Sequence, residues 1–211
     1  EMCIRDRVEV EDWAEDWKQN FSTFHVGTSL VIRPSWEDYA PLADEVVVEI
    51  DPGMAFGTGT HGTTQLCLEV IAELLHRPAP PLSMLDVGTG SGILALGAAA
   101  LGCQKVVATD IDPVACSVAR GNVNKNHYAA QVEISECLLE ELPGQFELIV
   151  ANILAEENIR LRHAFMDHLG PGGWLVLSGI LQEKEKMVRG GFADLPLNFF
   201  PSRYHCLLYT S

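Results

Sequence analysis

The sequence predicts an α/β fold with a mostly parallel sheet and helices on both faces, and three observations support this class. β-prone runs alternate with helical patterns from Met84 onward, which is the order typical of parallel sheets. The run Leu148-Ile149-Val150 is wholly apolar, as expected of a strand that is buried on both faces. With 211 residues, 47% of them hydrophobic, the chain is long enough to bury a core.

The predicted elements follow one another with short connections. The helix predicted at Thr64–Leu75 is ended by three prolines within His76–Pro81, and the glycines of Gly170–Gly173 are expected to end a later one. Trp13 and Trp17 stand four residues apart, a spacing that places both rings on one face of an N-terminal helix. The expected strands are Leu30–Ile32, Val46–Ile50, Met84–Val87, Val106–Thr109, Gln131–Ile134, Phe146–Ala151, Trp174–Leu177 and the start of one at Leu197–Phe200. The expected helices are Thr64–Leu75, Ile93–Leu101, Pro113–Asn126, Glu156–Leu169 and Gln182–Arg189.

The composition restricts the partners of the protein. A net charge of −15 repels phosphate backbones, so no extended nucleic-acid binding is expected, whereas a basic protein would be attracted. Solubility alone would account for the charge equally well. No apolar run reaches the roughly 18 residues of a membrane helix and no signal peptide is visible, so we expect a cytoplasmic protein without membrane contact. The six cysteines form no CxxC pair, so we expect reduced thiols and no metal site.

The strongest local signal is the glycine turn, Asp86-Val87-Gly88-Thr89-Gly90-Ser91-Gly92, which follows a predicted strand and opens a predicted helix. Glycines in such a turn let the backbone approach a ligand closely, and a helix N-terminus offers free N–H groups. Open α/β sheets bind their ligands at the carboxyl ends of the strands, where Gly88 and Gly90 are expected to lie. Because a glycine triplet can also be an ordinary tight turn, other residues must decide.

A carboxylate follows the next predicted strand. Asp110 lies eighteen residues after Gly92, where an acidic side chain can accept hydrogen bonds from both ribose hydroxyls of an adenosine. Asp112, directly before Pro113, is expected to cap the next helix instead. Dinucleotide sites have the spacing GxGxxG, whereas this turn has GxGxG led by Asp86, a form that resembles the first motif of class I methyltransferases. S-adenosyl-L-methionine is therefore favoured over NAD as the ligand.

The run Asn152-Ile153-Leu154 ends the strand that faces the transferable methyl group in folds of that kind. An Asn side-chain carbonyl there can accept a hydrogen bond from an amine and so aim the nitrogen lone pair at the methyl carbon. The run resembles the Asn-Pro-Pro-Tyr motif of amine methylators, with Ile153 and Leu154 in place of the prolines. The alternative is a plain turn residue, since Asn is common in turns.

A glycine-rich loop over Asp51–Thr64 precedes the glycine turn and is too long to be only a connector. Its four glycines make it flexible enough to close over a ligand. Thr63 or Thr64 at its end could cap the following helix and also contact the cofactor. His61 is a candidate base, although a solvated loop histidine is the simpler interpretation.

These four segments together resemble the PrmA family, the methyltransferases of large-subunit ribosomal protein eleven. They are the loop with its phrase Asp51-Pro-Gly-Met-Ala-Phe-Gly-Thr-Gly-Thr-His, the glycine turn, Asp110-Ile-Asp-Pro and Asn152-Ile-Leu. The resemblance implies a Rossmann-like class I methyltransferase fold with a seven-stranded sheet. It also implies cofactor contacts from Thr64, Gly88, Asp110 and Asn152, and methylation of lysine ε-amines and the N-terminal α-amine of that ribosomal protein.

The chain also departs from the family pattern. Gly62 stands where the family usually has proline, which should loosen the loop, and we expect the family's small substrate-recognition domain to be absent. Glu1–Arg7 and Cys206–Ser211 are interpreted as foreign segments, 8–50 as an N-terminal extension, and 51–205 as the S-adenosylmethionine-binding methyltransferase domain. Two alternatives remain: methylation of another acceptor, such as glutamine, a small molecule or RNA, and cofactor binding without turnover.

Overall fold

A computed structural model describes residues 21–51, 53 and 62–203, which form two β-sheets and the helices that pack against them. The helix expected at Trp13 and Trp17 lies outside the described residues, as does His61. Within the described ranges, no helix is both long and apolar enough to cross a membrane.

The smaller sheet contains three short strands from the first part of the chain. Strand β1 (Phe24–Val26) pairs antiparallel with β2 (Leu30–Pro34), and β2 pairs parallel with β3 (Val46–Ile50). The predictions of β2 and β3 are confirmed. Strand β1 was not predicted, because three residues are too short to show a strand periodicity.

The larger sheet is parallel throughout and has the order β6-β5-β4-β7-β8. The expectation of seven strands is wrong, since five strands form this sheet in the described part of the chain. Strands β1 to β3 pair with one another instead of extending it, and Leu197–Phe200 has no regular structure. The five strands are β4 (Ser83–Val87), β5 (Lys105–Thr109), β6 (Val132–Ser135), β7 (Phe146–Asn152) and β8 (Leu169–Ser178).

The helices lie where hydrophobic periodicity predicted them, except in the segment before β8. Asp112 caps the third helix as expected, because its Oδ1 accepts a hydrogen bond from the Val114 N–H at 2.9 Å. Short 3₁₀ turns occupy Leu139–Glu141 and Gln182–Lys184. The α-helices are α1 (Gly62–Leu75), α2 (Ile93–Ala100), α3 (Pro113–Lys125), α4 (Ala155–Arg160), α5 (Arg162–His168) and α6 (Glu185–Gly191).

The segment before β8 differs from the expectation of one helix over Glu156–Leu169. The helix breaks at Leu161 into α4 and α5, and β8 begins directly after α5. The glycines of Gly170–Gly173 lie inside β8, not in a turn, and the pairing of β7 with β8 shifts register beside them. A Cβ on Gly173 would lie 3.1 Å from the Glu147 carbonyl oxygen, so glycine allows the two backbones to approach here.

Strand β7 divides the core into two apolar layers. Leu148 and Val150 belong to the layer formed with α1, α2 and the smaller sheet, whereas Ile149 and Ala151 belong to the layer that contains Phe165. All five side chains are completely buried. The prediction of a strand buried on both faces is therefore confirmed, and the sheet edge where β7 ends is rigidly held.

Candidate functional site

A cleft of about 540 Å³ opens at the carboxyl ends of the strands of the larger sheet. It lies where the strand order reverses, because the chain continues from β4 to β5 and β6 on one side and to β7 and β8 on the other. The five residues that the sequence predicted as cofactor contacts all line this cleft, namely Thr64, Gly88, Gly90, Asp110 and Asn152. Residues that are as many as 88 positions apart are thus brought into one site.

The glycine turn after β4 forms the floor of the cleft. Gly88, Gly90 and Gly92 have φ values of 74°, 56° and 82°, in the left-handed region that favours glycine. A Cβ on Gly88 would lie 2.4 Å from Cγ2 of Ile153, and one on Gly92 would lie 3.2 Å from the Ala119 Cβ. The turn is therefore held between the end of β7 and helix α3.

The Asp110 carboxylate, which follows β5, is oriented by two backbone N–H groups. Its Oδ2 accepts a hydrogen bond from Gly90 at 2.9 Å, and its Oδ1 accepts one from Asp112 at 3.0 Å. A carboxylate oxygen can accept more than one hydrogen bond, so both oxygens retain capacity for ligand hydroxyls. The acidic strand end and the glycine turn thus form one hydrogen-bonded unit.

Asn152 stands at the opposite side of the cleft, at the last position of β7. Its Nδ2 donates to the Oγ1 of Thr64 at 3.4 Å, which leaves Oδ1 as the acceptor of the side chain. Thr63 and Thr64 lie in the first turn of α1, because the helix already begins at Gly62. Neither threonine is therefore the residue before the helix, as capping would require, but both line the cleft.

Asp86, the first residue of the glycine-turn motif, is completely buried beneath the cleft. Burial raises the pKa of its carboxyl to about 7, against the effect of a hydrogen bond that the Thr89 hydroxyl donates to Oδ2 at 2.6 Å. The charge of Asp110 raises the pKa further. The protonation state of Asp86 therefore changes near neutral pH.

A comparison with models of known protein families shows to which family the chain is related. Residues 2–198 match the family model described as ribosomal protein L11 methyltransferase (PrmA). The chain belongs to this family. Of the four segments that resemble the PrmA family, the glycine turn and those that begin at Asp110 and Asn152 meet at the cleft. Most of the fourth, the loop that begins at Asp51, lies outside the described residues.

Two curated relatives show how much of a PrmA-family protein this chain represents. A ribosomal protein L11 methyltransferase from Syntrophotalea carbinolica is 53% identical over 187 residues, and one from Pelobacter propionicus is 50% identical over 202 residues. These alignments cover 89% and 95% of this chain. The chain spans only 61% and 65% of the length of these relatives.

A solved structure supports the same fold. The crystal structure of ribosomal protein L11 methylase from Lactobacillus delbrueckii subsp. bulgaricus superposes with a TM-score of 0.73 at 35% sequence identity. The match covers 87% of this chain and 95% of that one. The prediction of a Rossmann-like class I methyltransferase fold is therefore confirmed for this PrmA-family chain.

Two further walls of the cleft were missed by the sequence analysis. Cys137–Glu140 follows β6, and Gly179–Leu181 follows β8, so both segments lie at the same sheet edge as the predicted residues. Their position after a strand was a usable signal, because carboxyl ends of parallel strands converge. The sequence did not point to them, because the side chains of Leu138, Leu139 and Leu181 are apolar and have no polar or ionisable group.

The wall after β6 is held from behind by a buried histidine on α5. The two ring nitrogens of His168 lie 2.8 Å from the carbonyl oxygens of Gly144 and Leu139. Leu139 lines the cleft, so this contact connects α5 to the shape of the wall. A neutral imidazole has one N–H, so both contacts are hydrogen bonds only when the ring is protonated.

The rim of the cleft combines exposed apolar side chains with paired charges. Ile111 and Leu154 are 77% and 68% exposed on opposite sides of the opening. The Arg160 guanidinium contacts Glu157 at 2.7 Å and Glu140 at 3.5 Å. The role proposed for His61 stays a prediction, since that residue lies outside the described part of the chain.

Proposed function

We propose that this chain is the catalytic part of an S-adenosylmethionine-dependent protein N-methyltransferase. Its acceptors are lysine ε-amines and the N-terminal α-amine of large-subunit ribosomal protein L11. The observation that carries the proposal is the placement of Asp110 and Asn152 on two sides of one cleft, with the glycine turn between them. The names of the 53% and 50% identical relatives support the choice of substrate.

The lining of the cleft suits a nucleoside without phosphates. A volume of about 540 Å³ lies within the range of small-molecule sites, roughly 300 to 1,000 Å³. Among the described lining residues, Arg160 is the one cation, and it is paired with Glu157 and Glu140. A pyrophosphate would have no free cation at this site, and the Gly90 N–H of the glycine turn already donates to Asp110, so the lining suits S-adenosylmethionine better than NAD.

The residues that would hold the cofactor follow from their positions. Asp110 would accept hydrogen bonds from the ribose hydroxyls, and the backbone of Gly88 and Gly90 would lie against the ligand. Thr64 would contact the part of the cofactor nearest Asn152, since the two side chains touch each other. When bound, S-adenosylmethionine supplies an electrophilic methyl group on a sulfonium, so the protein mainly has to position the acceptor.

Asn152 is the residue proposed to position the acceptor. Its Oδ1 would accept a hydrogen bond from the amine, since its Nδ2 is used by Thr64. The bound cofactor would supply its methyl group to the nitrogen that Asn152 positions, with the S–C bond giving way to the new N–C bond and S-adenosylhomocysteine as the leaving product. A lysine amine has a pKa of about 10.4 in water, so burial beside a cation must favour its neutral form. Water would take the proton that the methylated nitrogen releases.

The surface charge supports a basic acceptor protein over a nucleic acid. The net charge of −15 would attract a lysine-rich ribosomal protein and repel a phosphate backbone. We place the reaction in the cytoplasm, where ribosomal proteins are made. We assign the S-adenosylmethionine-binding methyltransferase domain to residues 51–205, with 8–50 as an extension before it.

One competing function is cofactor binding without turnover. It is favoured by the finding that the chain spans only 61% and 65% of the length of its relatives. Methylation of glutamine, a small molecule or RNA is a second competing outcome.

A methyl-transfer assay separates these functions. Tritiated S-adenosylmethionine is offered with ribosomal protein L11, glutamine or ribosomal RNA, and label is expected in the amines of the protein. Label in RNA or glutamine instead would contradict the proposed acceptor, and binding without any label would leave the chain a binding module.

A variant pair tests the role of Asn152. Asn152→Ala is expected to lower kcat about a hundredfold, because a misplaced amine reacts slowly, with little change in cofactor affinity. Asn124→Ala on the exposed side of α3 is the matched control and should retain wild-type turnover. Equal losses of turnover and affinity in Asn152→Ala would argue against a role in orienting the acceptor.

A further inference from the structure

Two asparagines, Asn122 in helix α3 and Asn126 at its C-cap, bind the backbone of β3 and of the residue after it. Asn126 Oδ1 accepts from the Glu49 N–H at 2.8 Å, and its Nδ2 donates to the Glu49 carbonyl at 2.7 Å. Asn122 makes the same pair of contacts with Asp51, each at 3.0 Å. The side-chain amides thus take the place of a neighbouring strand at this edge of the smaller sheet.

The geometry of the two elements explains why this pairing repeats. Glu49 and Asp51 are two residues apart and present their backbone groups on the same side, about 6.6 Å apart along an extended chain. Asn122 and Asn126 are four residues apart on one helix face, a rise of about 6 Å. The two spacings match, so both asparagines reach a backbone partner.

The two asparagines differ in their third contact. Nδ2 of Asn122 also donates to the Ser91 carbonyl at 2.9 Å, whereas Nδ2 of Asn126 donates to the carbonyl of Asn122 at 2.8 Å. Ser91 belongs to the glycine turn, between Gly90, which lines the cleft, and Gly92. Asn122 is only 2% exposed, so no water competes for these three bonds.

Helix α3 supports the glycine turn at a second point on the same face. Ala119, one turn before Asn122, packs closely against Gly92, whose added Cβ would lie 3.2 Å from the Ala119 Cβ. Asp112 caps the same helix and donates its own N–H to the Asp110 carboxylate. One helix therefore contacts both the turn and the acidic strand end.

We propose that Asn122 is a positioning residue for the cofactor, which acts by fixing the Ser91 carbonyl, and with it the glycine turn, against the backbone of Asp51. The inference rests on the proposed S-adenosylmethionine site. Asn126 makes an equal number of hydrogen bonds to the same strand without reaching the turn, so it contributes to stability alone. The two residues make the same pair of contacts with the extended backbone, and of the two only Asn122 also contacts the turn.

The test compares Asn122→Ala with Asn126→Ala in the 211-residue chain. The dissociation constant of S-adenosylhomocysteine is measured by calorimetry, and unfolding by urea gives the stability of each variant. Both variants are expected to lose stability, but Asn122→Ala should raise the dissociation constant about tenfold, while Asn126→Ala changes it less than about twofold. Hydrogen exchange should become faster across the glycine turn in Asn122→Ala only.

A second pair adds a pH profile that a purely structural role would not produce. The carboxylate of Asn122→Asp cannot donate to Ser91, but its protonated form can. The affinity of Asn122→Asp for S-adenosylhomocysteine, relative to the wild type, should therefore recover as the pH falls from 8 to 5. The affinity of Asn126→Asp for S-adenosylhomocysteine should stay close to that of the wild type at every pH.

The outcomes separate this inference from the proposed function. A wild-type chain that is folded and does not bind S-adenosylhomocysteine would contradict the proposed function itself. Wild-type binding with equal affinity losses in the Asn122 and Asn126 variants would overturn only the positioning role. The role is also overturned if both Asn122 variants fail to fold while both Asn126 variants fold, or if Asn122→Ala binds as the wild type does.

Discussion

The Oδ2 atom of Asp110 lies 2.9 Å from the backbone nitrogen of Gly90, twenty residues earlier in the chain. This bond joins the end of β5 to the glycine turn after β4, so the acidic side chain and the turn keep one relative position. The carboxylate is thereby oriented before any ligand arrives, which lowers the entropy that binding must offset.

Asp110→Asn is expected to weaken S-adenosylhomocysteine binding about tenfold to a hundredfold. The amide has one acceptor oxygen in place of two, so it cannot keep both backbone bonds and also accept from both ribose hydroxyls. Calorimetry measures the affinity. Asp112→Ala is the control, because loss of the α3 cap should lower stability by about 1 kcal/mol and leave affinity nearly unchanged. Equal affinity losses in the two variants would contradict a ribose contact at Asp110.

Gly88→Ala is expected to abolish cofactor binding and to destabilise the fold. A Cβ at this position would lie 2.4 Å from Cγ2 of Ile153, and the φ value of 74° costs about 1 to 2 kcal/mol for a residue with a side chain. Gly121→Ala on α3 is the matched control, because a Cβ there has nothing within 4 Å. Since alanine favours the helix, the control should gain about 0.5 to 1 kcal/mol. Urea unfolding and calorimetry distinguish the two, and normal binding by Gly88→Ala would refute the close approach at this turn.

The buried carboxyl of Asp86 predicts a specific dependence of stability on pH. Its pKa rises from a usual value of 3.8 to about 7 in the folded chain, mainly because of burial. The folded state then binds a proton that the unfolded state has released, so the stability present below pH 4 decreases as the pH rises to about 7. The slope within this window is about 1.4 kcal/mol per pH unit.

Asp86→Asn removes this titration, so its stability should change less between pH 5 and pH 7 than that of the wild type. Urea unfolding at four pH values gives the difference in free energy of unfolding between the wild type and Asp86→Asn. The contributions of the other titrating groups cancel in this difference. Asp44→Asn at an exposed position should keep the wild-type dependence. Parallel curves for the wild type and Asp86→Asn would show that Asp86 does not titrate in this range.

His168→Ala is expected to destabilise the protein by about 1 to 3 kcal/mol, because the buried ring no longer contacts the carbonyls of Leu139 and Gly144 and at least one of them loses its donor. Faster hydrogen exchange should appear between residues 139 and 144, at the wall of the cleft. His163→Ala on the same helix is exposed and should leave both stability and exchange unchanged. A loss of stability without faster exchange at this wall would mean that His168 supports α5 alone.

The predicted contact residues could be located from sequence because they follow strands. Gly88, Asp110 and Asn152 each stand directly after an apolar β-prone run, and such strand ends must meet at one sheet edge. The walls at Leu139 and Leu181 have the same relation to β6 and β8. They were missed because their side chains suggest packing, and only the three-dimensional structure shows that they face the cleft.

The predicted bounds of helices and strands were wrong where tertiary contacts outweighed local conformational preference. Gly170–Gly173 would end a helix in isolation, yet pairing with β7 extends these residues as part of β8. Leu197–Phe200 looks like a strand, but the Phe200 ring packs on Trp174 with centroids 5.2 Å apart, and the segment pairs with none of the described strands. Neither outcome can be derived from propensity, which describes a segment without its neighbours.

The strand order has a consequence for the growing chain. Strand β4 pairs with β5 early, but its other neighbour, β7, is synthesised only after β5 and β6. Until then, one edge of β4 presents unpaired N–H and C=O groups in the middle of the future sheet. A chain whose synthesis has stopped between Ser135 and Phe146 would therefore have a half-formed sheet with an open edge. This edge can pair with another molecule, so we expect aggregation during translation to occur in this interval.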